Sequence, residues 1–311
     1  MSQDLISVVI PVFNEQDNIT PLIKRLLPIL EKYNFELILV DDGSKDSTAA
    51  RVKEHASENK NIKLLSFNRN FGHQIALTAG HHSAKGACVI SMDADLQDPP
   101  EIIPEMIAKW RSGAKVVYAK RKKRDVDSMF KKKTAELFYG FINSLSDTAI
   151  PENVGDFRLI DREVVDYLNN LPEHSPFLRG LVAWSGYIED FVYFDRQERF
   201  SGETHYSLSK MLNFALDGIT SFSIKPLRVA TYMGFGAASF GFLGILYAII
   251  GKFISPATFI IGWTGLFVGI MFIGGVQLIT IGIIGEYISK IYIEVLRRPH
   301  YIVKEKVNIE S

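Results

Sequence analysis

The sequence predicts an α/β protein with a mainly parallel sheet, followed by a pair of membrane-spanning helices. Short apolar runs rich in β-branched residues alternate with amphipathic runs between residues 6 and 118. Two long runs almost free of charge follow residue 226, and acidic clusters come directly after three of the apolar runs. Strands that alternate with helices along a chain are typical of a parallel sheet covered by helices on both faces.

The elements of this first part follow one another in strict alternation. Length and composition separate the two types, because strands are short and β-branched whereas helices are longer and amphipathic. The predicted strands are Ile6–Ile10, Phe35–Val40, Ile62–Ser66, Ala87–Met92 and Lys115–Tyr118. The predicted helices are Asn18–Glu31, Ser47–Ser57, Gln74–Ser83 and Pro100–Arg111.

Composition excludes several classes of protein. The chain has 311 residues and a formal net charge of zero, so no bulk field favours nucleic acid. A single cysteine, Cys88, excludes an intrachain disulfide and lies in an apolar strand pattern typical of a buried residue. Residues Met1–Asp4 lack the basic and apolar regions of a signal peptide, so the first two-thirds is expected to stay in the cytosol.

Two apolar runs predict a transmembrane hairpin. Between Leu227 and Ile250 the only charge is Arg228, and between Phe259 and Ile284 there is none. Each run is long enough to cross a hydrocarbon core of about 30 Å. Two buried helices of a soluble protein are the alternative, but they need a larger core than this chain can build. The loop carries only Lys252, whereas both outer flanks are basic, which predicts cytoplasmic termini.

Acidic clusters follow the first, second and fourth predicted strands. Glu15 follows the first, Asp41 and Asp42 the second, and Asp93 and Asp95 the fourth. Because ligands of such sheets bind beyond the carboxyl ends of the strands, these side chains are expected at one site. Carboxylates repel phosphate, so a bound diphosphate would need Mg²⁺ or Mn²⁺ between them. Helix capping or a plain surface turn is the alternative for each cluster taken alone.

Eight segments together resemble one family. The chain is similar to the family 2 glycosyltransferases with the GT-A fold, in particular to the polyprenyl-phosphate branch of dolichyl-phosphate mannose synthases and bactoprenol glucosyltransferases. The resemblance covers nearly the whole chain, the hairpin included. The segments are VVIPVFNE (8–15), VDDGSKDST (40–48), NRNFGHQIALTAG (68–80), MDADLQDPPE (92–101), GDFRLIDR (155–162), FLRGLVAW (177–184), RQERFSGETHY (196–206) and RRPHYIV (297–303).

The resemblance implies a role for particular residues. The nucleotide-sugar would be bound by Pro11, Phe13, Glu15, Asp41, Asp42, Asp93, Ala94 and Asp95. The metal would be held by Asp93, Asp95 and Gln97. The acceptor phosphate would be bound by Arg121, Lys132, Thr134, Arg196 and Arg199. Asp156 would lie near the reacting centre with Asp93 and Asp95, either as a base or orienting a sugar hydroxyl, and a salt bridge with Arg158 is the equally open alternative.

The implied organisation has four parts. Residues 1–206 would form the cytoplasmic GT-A catalytic domain, and 207–225 an amphipathic juxtamembrane helix, with a core-packing helix as the alternative. Residues 226–287 would hold the two transmembrane helices and 288–311 a cytoplasmic tail. A basic run at 120–133 has eight basic and two acidic residues, and would contact anionic headgroups or the acceptor phosphate unless it is only a solvated face.

The implied reaction is the metal-dependent, inverting transfer of one hexose from a nucleotide-diphosphate sugar to undecaprenyl phosphate. UDP-glucose is the first expected donor, and the product would serve cell-envelope glycan modification. The phosphate acceptor is already anionic, so positioning and electrostatics should supply most of the rate. The protein would be a multi-pass protein of the inner membrane and would bind no nucleic acid; a homo-oligomer through the hairpin is a further expectation. A processive polysaccharide synthase and a non-catalytic lipid-handling protein are the alternatives.

Overall fold

A computed structural model describes most of the chain. It groups the residues into two compact units, one made of Met1–Leu137, Thr148–Leu208 and Arg297–Ser311, the other of Phe138–Asp147 and Ser209–Leu296. Each unit is described below by itself. The residues described are 4–122, 151, 154–173, 177–195, 223–254 and 263–309.

The first unit is built on an eight-stranded sheet. Its strand order is β7-β5-β6-β4-β1-β2-β3-β8. Strands β1 to β4 run parallel, β6 and β8 pair antiparallel to their neighbours, and β5 pairs parallel with β7. The strands are β1 (Leu5–Val12), β2 (Asn34–Asp41), β3 (Ile62–Phe67), β4 (Cys88–Ser91), β5 (Val116–Arg121), β6 (Val154–Asp161), β7 (Glu189–Phe194) and β8 (Val303–Val307).

Helices connect the strands and cover the sheet. All five strands and all four helices predicted between residues 6 and 118 are present within a few residues of their predicted ends, so the predicted fold class is confirmed for this part. The last predicted helix begins as a short 3-10 turn at Pro100–Ile102. The helices of this unit are α1 (Gln16–Leu30), α2 (Thr48–Glu58), α3 (His73–Ser83), α4 (Ile103–Arg111), α5 (Arg162–Asn169) and α6 (Leu178–Trp184).

The central strands of the sheet are buried on both faces, which explains why they are mainly apolar along their length. On one face Ile6, Val8 and Ile10 of β1 belong to the main core together with Leu22 of α1. On the other face α3 approaches closely, since a Cβ atom at Gly80 would lie 2.2 Å from Cγ1 of Val9. The loops at the carboxyl ends of the strands are therefore held from both sides of the sheet.

The strand β8 is not predicted by the sequence, which assigns residues 288–311 only to a tail. It pairs antiparallel with β3 and occupies the edge of the sheet. The ring of Tyr301 stacks on that of Phe67 with centroids 4.9 Å apart, and Nδ2 of Asn308 donates to the carbonyls of Ala56 (2.8 Å) and Ile62 (2.9 Å). The chain thus returns to the first unit after its long helices.

The second unit contains two long helices, α7 (Lys225–Ile254) and α8 (Trp263–Leu296). The rings of Phe240 and Phe272 lie 5.9 Å apart, and the hydroxyl of Tyr287 donates to the carbonyl of Ser223 at 2.7 Å, so the two helices lie side by side. In the part of the chain that the structure describes, Gly269–Leu296 is the one helical stretch identified as long and apolar enough to cross a membrane, with a mean hydropathy of 1.7.

Replacing Gly43 by alanine is expected to destabilise the protein by about 2 kcal/mol. Gly43 has φ +71°, and a Cβ atom there would lie 2.4 Å from the carbonyl carbon of Arg69. An alanine side chain would therefore strain the backbone and also clash with Arg69. Thermal unfolding of the full-length protein in detergent measures the effect. Gly113→Ala is the control, because Gly113 also has positive φ (+112°) but no atom within 4 Å of the added Cβ. Equal losses in both variants would contradict the steric contribution.

Candidate active site

Three loops meet at the carboxyl edge of the parallel strands. Strand β1 lies between β4 and β2 and runs parallel to both, so the residues that follow these three strands are neighbours. The loops begin after Val12, Asp41 and Ser91. The acidic clusters found in the sequence therefore lie along one edge of the sheet, which is where ligands bind in folds of this kind.

Side chains join the loops after β1 and β2 into one rigid structure. Asn14 adopts φ +54°, a left-handed conformation that asparagine tolerates better than most residues. Its backbone N–H donates to Oγ of Ser44 and its Oδ1 accepts from the N–H of Lys45, both at 2.9 Å. The N–H of Glu15 donates to Oγ1 of Thr48 at 2.9 Å. Pro11 is buried beneath this loop, whereas the ring of Phe13 is exposed.

The carboxylates of Asp41 and Asp42 are buried and fix further loops. Asp41 accepts from Oγ of Ser66 at 2.7 Å and from the N–H of Ser44 at 3.0 Å. Asp42 accepts from the N–H groups of Phe71 (2.7 Å) and Gly72 (2.9 Å), just before α3 begins. Burial raises the pKa of Asp42, although these two N–H groups oppose the shift. Both carboxylates thus shape the edge of the site through protein partners.

The acidic turn after β4 presents Asp93 to solvent. The Asp93 side chain is 33% exposed, whereas Asp95 is buried and its Oδ1 accepts from the N–H of Gln97 at 3.1 Å. Ala94 is buried as well, and Leu96 adopts φ +60°, which gives the turn its tight form. Burial raises the pKa of Asp93; His73 opposes this shift, and the charges of Asp156 and Asp95 add to it.

The neighbouring carboxylates of Asp93 and Asp95 fit a divalent cation, whose charge would favour the ionised form of Asp93 against the burial that raises its pKa. Oxygen donors are also the ligands that Mg²⁺ and Mn²⁺ prefer. Among the described residues, no group of three or more His, Cys, Asp and Glu side chains is placed to hold a metal ion. The remaining ligands of a cation at Asp93 and Asp95 would therefore have to come from elsewhere, as the oxygens of a bound diphosphate would.

Asp156, on β6, is the centre of a buried polar cluster. Its side chain is 2% exposed. Arg179 donates from Nε to Oδ1 at 3.0 Å and from Nη2 to Oδ2 at 2.7 Å, and Arg158 donates from Nη2 to Oδ1 at 2.9 Å. Nε2 of His73 lies 3.3 Å from Oδ2 of Asp156 and 3.6 Å from Oδ1 of Asp93. The cluster therefore connects β6 and α6 to the acidic turn.

These partners set the ionisation of the cluster. Burial alone would raise the pKa of Asp156, but Arg179, His73 and Arg158 hold it well below its usual range. Burial alone would likewise lower the pKa of His73, but the hydrogen bond to Asp156 and the charge of Asp93 raise it above its ordinary value. The salt bridge between Asp156 and Arg158, one of the alternatives open from the sequence, is present, and a carboxylate held in this way is a weak base.

The sequence misses Arg179 and Gln74 as parts of the site. Nε2 of Gln74 donates to Oδ2 of Asp156 at 3.4 Å, and its Oε1 accepts from the N–H of Leu178 at 3.2 Å, so Gln74 joins α3, β6 and α6. Both residues lie in segments that carry the family resemblance, but nothing local to them indicates a shared partner. His81, at the end of α3, is buried and hydrogen-bonds Oγ of Ser91 at 2.9 Å.

The predicted phosphate-binding residues are described only in part. Arg121 ends β5, and its Nη2 lies 3.9 Å from Oδ1 of the buried Asp98 in the acidic turn. Arg121 therefore lies beside the loop that carries Asp93 and Asp95. The other four predicted residues, Lys132, Thr134, Arg196 and Arg199, lie outside the described residues.

The mainly parallel sheet with an acidic turn at its carboxyl edge is the GT-A arrangement of glycosyltransferases. A family model described as glycosyl transferase family 2 matches residues 7–168. The chain belongs to this family and is a glycosyltransferase.

Two relatives match along nearly their whole length. The bactoprenol glucosyl transferase derived from the SfII prophage of Shigella flexneri is 47% identical over 304 residues, which cover 96% of this chain and 97% of the relative. The uncharacterized glycosyltransferase YkcC of Bacillus subtilis is 46% identical over 307 residues, which cover 98% of this chain and 95% of the relative.

One solved structure supports the fold. It is that of glucosyl-3-phosphoglycerate synthase from Mycobacterium tuberculosis in complex with Mn²⁺, UDP-glucose and phosphoglyceric acid, and it aligns with a TM-score of 0.50 and 18% identity. The alignment covers 70% of this chain and 78% of the synthase. At this identity the likeness supports the GT-A fold alone.

Proposed function

We propose that the protein transfers one glucose from UDP-glucose to the phosphate of undecaprenyl phosphate, with inversion at the anomeric carbon. The observation that carries this proposal is the Asp93–Asp95 turn at the carboxyl edge of the sheet, in a chain that aligns over 96% of its length with a bactoprenol glucosyl transferase. The product would be a polyprenyl-phosphate sugar that serves glycan modification in the cell envelope.

The proposed cofactor is Mg²⁺ or Mn²⁺, held by Asp93 and Asp95 with Gln97 beside them. The partly exposed Asp93 carboxylate and its raised pKa support this assignment, as does the presence of Mn²⁺ with UDP-glucose in the solved GT-A structure. When bound, the ion would neutralise the charge that develops on the departing diphosphate. The chain's own residues would then bind and orient the two substrates.

The nucleotide would lie on the loops after β1 and β2. The exposed ring of Phe13 offers a surface for the base, and the rigid loops tied by Asn14, Asp41 and Asp42 hold that surface in place. Glu15 accepts from Nδ2 of Asn18 at 2.5 Å, which orients its carboxylate at the start of α1. In this proposal Asp41 and Asp42 bind the nucleotide-sugar, and their hydrogen bonds to Ser66 and Phe71 also shape the loops that hold it.

The acceptor phosphate would approach the acidic turn from the side of Arg121. Its position beside Asp98 supports a role near the phosphates of donor or acceptor. Lys132, Thr134, Arg196 and Arg199 are proposed to complete this anion site from segments outside the described residues. The monoester oxygen is already ionised near neutral pH, so the low pKa of Asp156 is compatible with a reaction that needs no strong base.

We further propose that α7 and α8 cross the cytoplasmic membrane as a hairpin, with the catalytic unit and both termini in the cytoplasm. Pairing of β8 with β3 supports this topology. Residues paired in one sheet lie on the same side of a membrane, and a hairpin of two crossings between β7 and β8 would keep them there.

The surface of the long helices also supports a lipid environment. None of the apolar window in Gly269–Leu296 is buried inside the protein, although a core helix of a soluble protein would be. Large apolar side chains such as Phe235, Phe242, Leu278 and Ile291 are exposed. An exposed apolar surface of this extent is typical of contact with lipid.

A donor screen tests the proposed reaction. Purified full-length protein in detergent is incubated with undecaprenyl phosphate, Mn²⁺ or Mg²⁺, and one of several UDP- or GDP-sugars, and the lipids are analysed by mass spectrometry. We expect one hexose per acceptor, with UDP-glucose the most efficient donor. Addition of several sugars to one acceptor would instead indicate a processive synthase, and no modified lipid with any donor would contradict the proposal.

A further inference from the structure

We infer that Arg179 is a substrate-binding residue that holds a phosphate oxyanion at the reaction centre, positioned there by Asp156. The inference rests on the proposed function and deepens it, because it adds a cation that neither the sequence nor the family match assigns. The ligand chemistry is a phosphate oxygen, which the donor diphosphate and the acceptor monoester both offer.

Exposure separates the two arginines that pair with Asp156. The Arg158 side chain is 1% exposed, so it compensates the buried carboxylate and has no access to a substrate. The Arg179 side chain is 25% exposed although two of its nitrogens bond the same carboxylate. Of these two guanidinium groups, Arg179 is therefore the one that can face a ligand.

The geometry of the pair fixes the guanidinium. Nε and Nη2 of Arg179 each donate to a different oxygen of Asp156, at 3.0 and 2.7 Å, which sets the plane of the group as well as its position. Gln74 strengthens the arrangement, because its side chain bonds both Asp156 and the N–H of Leu178, the residue before Arg179. A preorganised cation of this kind stabilises developing negative charge without reorganisation.

Arg179 also lies near the acidic turn. His73 bridges Asp156 and Asp93, and the positive charge of Arg179 acts on Asp93. The proposed reaction brings a diphosphate and a phosphate monoester together at this turn, so two anions need more positive charge than the metal ion supplies. Arg179 supplies a fixed positive charge near this turn, whereas a lysine at the same position could not form the two-pronged pair with Asp156.

Arg179→Ala is expected to lower kcat/KM for glucose transfer about 10²-fold, and Arg179→Lys to restore only part of that loss. Two measurements on the full-length protein in detergent distinguish the sources of the phosphate. Calorimetric titration with UDP and Mn²⁺ reports the donor side, and KM for undecaprenyl phosphate reports the acceptor side. A weaker UDP affinity assigns Arg179 to the diphosphate, and a raised acceptor KM assigns it to the lipid phosphate.

Arg25→Ala is the matched control. Arg25 is 27% exposed and forms an equivalent two-pronged pair with Glu101, at 2.7 and 2.8 Å, but lies on α1 away from the cluster. We expect this variant to keep wild-type kinetics. Thermal unfolding is measured for all variants, because a loss of activity in Arg179→Ala that follows only from a lower Tm would overturn the inference.

Two further outcomes separate the inference from the function it rests on. Unchanged UDP affinity, acceptor KM and kcat in Arg179→Ala, with an active wild type, would overturn the role of Arg179 alone. An inactive wild type would contradict the proposed function. Titrations of wild type and Arg179→Ala with UDP and with undecaprenyl phosphate would then decide on Arg179: a weaker affinity for either supports the inference, and unchanged affinity for both overturns it.

Discussion

Replacing Asp95 by alanine is expected to lower the turnover number for sugar transfer about 10³-fold. The carboxylate has two tasks in the proposed site: it fixes the turn by accepting from the N–H of Gln97, and it holds the metal ion with Asp93. Its loss removes a metal ligand and loosens the loop that carries the other one. Initial rates at saturating UDP-glucose and undecaprenyl phosphate, measured over a range of Mn²⁺ concentrations, determine the effect.

Asp166→Ala provides the control for the Asp95 variant. Asp166 is an exposed aspartate of α5 that pairs with Arg162 on the surface, so its removal changes the net charge by the same amount without touching the acidic turn. We expect wild-type rates from this variant. If Asp95→Ala keeps a normal rate with a normal dependence on Mn²⁺, the metal site proposed here is wrong.

Asp156→Asn is expected to cost about 4 kcal/mol of stability and to lower the Tm of the catalytic unit by roughly 10 °C. The variant leaves Arg158 buried with no compensating charge, and such an uncompensated ion is far more costly than the pair itself contributes. Thermal unfolding of the full-length protein, followed by circular dichroism in detergent, measures the loss.

The ion pair between Asp156 and Arg158 also predicts that the free energy of unfolding depends on pH. The folded-state pKa of Asp156 lies well below its unfolded value of about 4, so its contribution to stability is fully present above pH ~4. That contribution is lost as the pH falls from about 4 through the folded-state pKa. Near neutral pH the stability difference between wild type and Asp156→Asn should also follow the protonation of His73, whose pKa the hydrogen bond to Asp156 raises. Below pH ~4 the difference should shrink as Asp156 is protonated; a difference that grows as the pH falls below about 4 would contradict the assigned ionisation of Asp156.

Asp156→Asn also bears on catalysis. If Asp156 is a general base, the variant should be inactive even where it remains folded. If Asp156 only positions Arg179, the variant should lose as much activity as Arg179→Lys, because both substitutions remove the two-pronged pair between the guanidinium and the carboxylate. Rates are compared at a temperature well below the Tm of the variant. Complete loss of turnover in Asp156→Asn beside a mild defect in both Arg179 variants would favour the base.

The sheet and the acidic edge could be predicted because their causes are local. A run such as Ile6–Ile10 is apolar at every position except Ser7, as expected of a strand that is buried on both faces. The placement of Asp42 and Asp93 beyond the ends of parallel strands then follows from chain direction alone. The positions of both residues along the edge of the sheet needed no knowledge of side-chain contacts.

Tertiary contacts between distant segments could not be predicted in this way. Arg179 reaches Asp156 from a different element, and no period or spacing in the sequence relates an α6 residue to a β6 residue. Strand β8 has five residues of alternating exposure, and three of the five are charged. Its sequence therefore does not differ from that of a solvated tail, and the strand forms because it pairs with β3. These features depend on how the fold brings the chain back on itself.

The most direct measurement of the central proposal is a single assay with radiolabelled UDP-glucose, undecaprenyl phosphate and the purified full-length protein, with and without EDTA, followed by partition between water and an organic phase. We expect label to enter the lipid phase only when Mn²⁺ or Mg²⁺ is available, and to return to water when the product is cleaved by mild acid. Label that stays in the aqueous phase under all conditions, or that enters the lipid equally fast in EDTA, would contradict it.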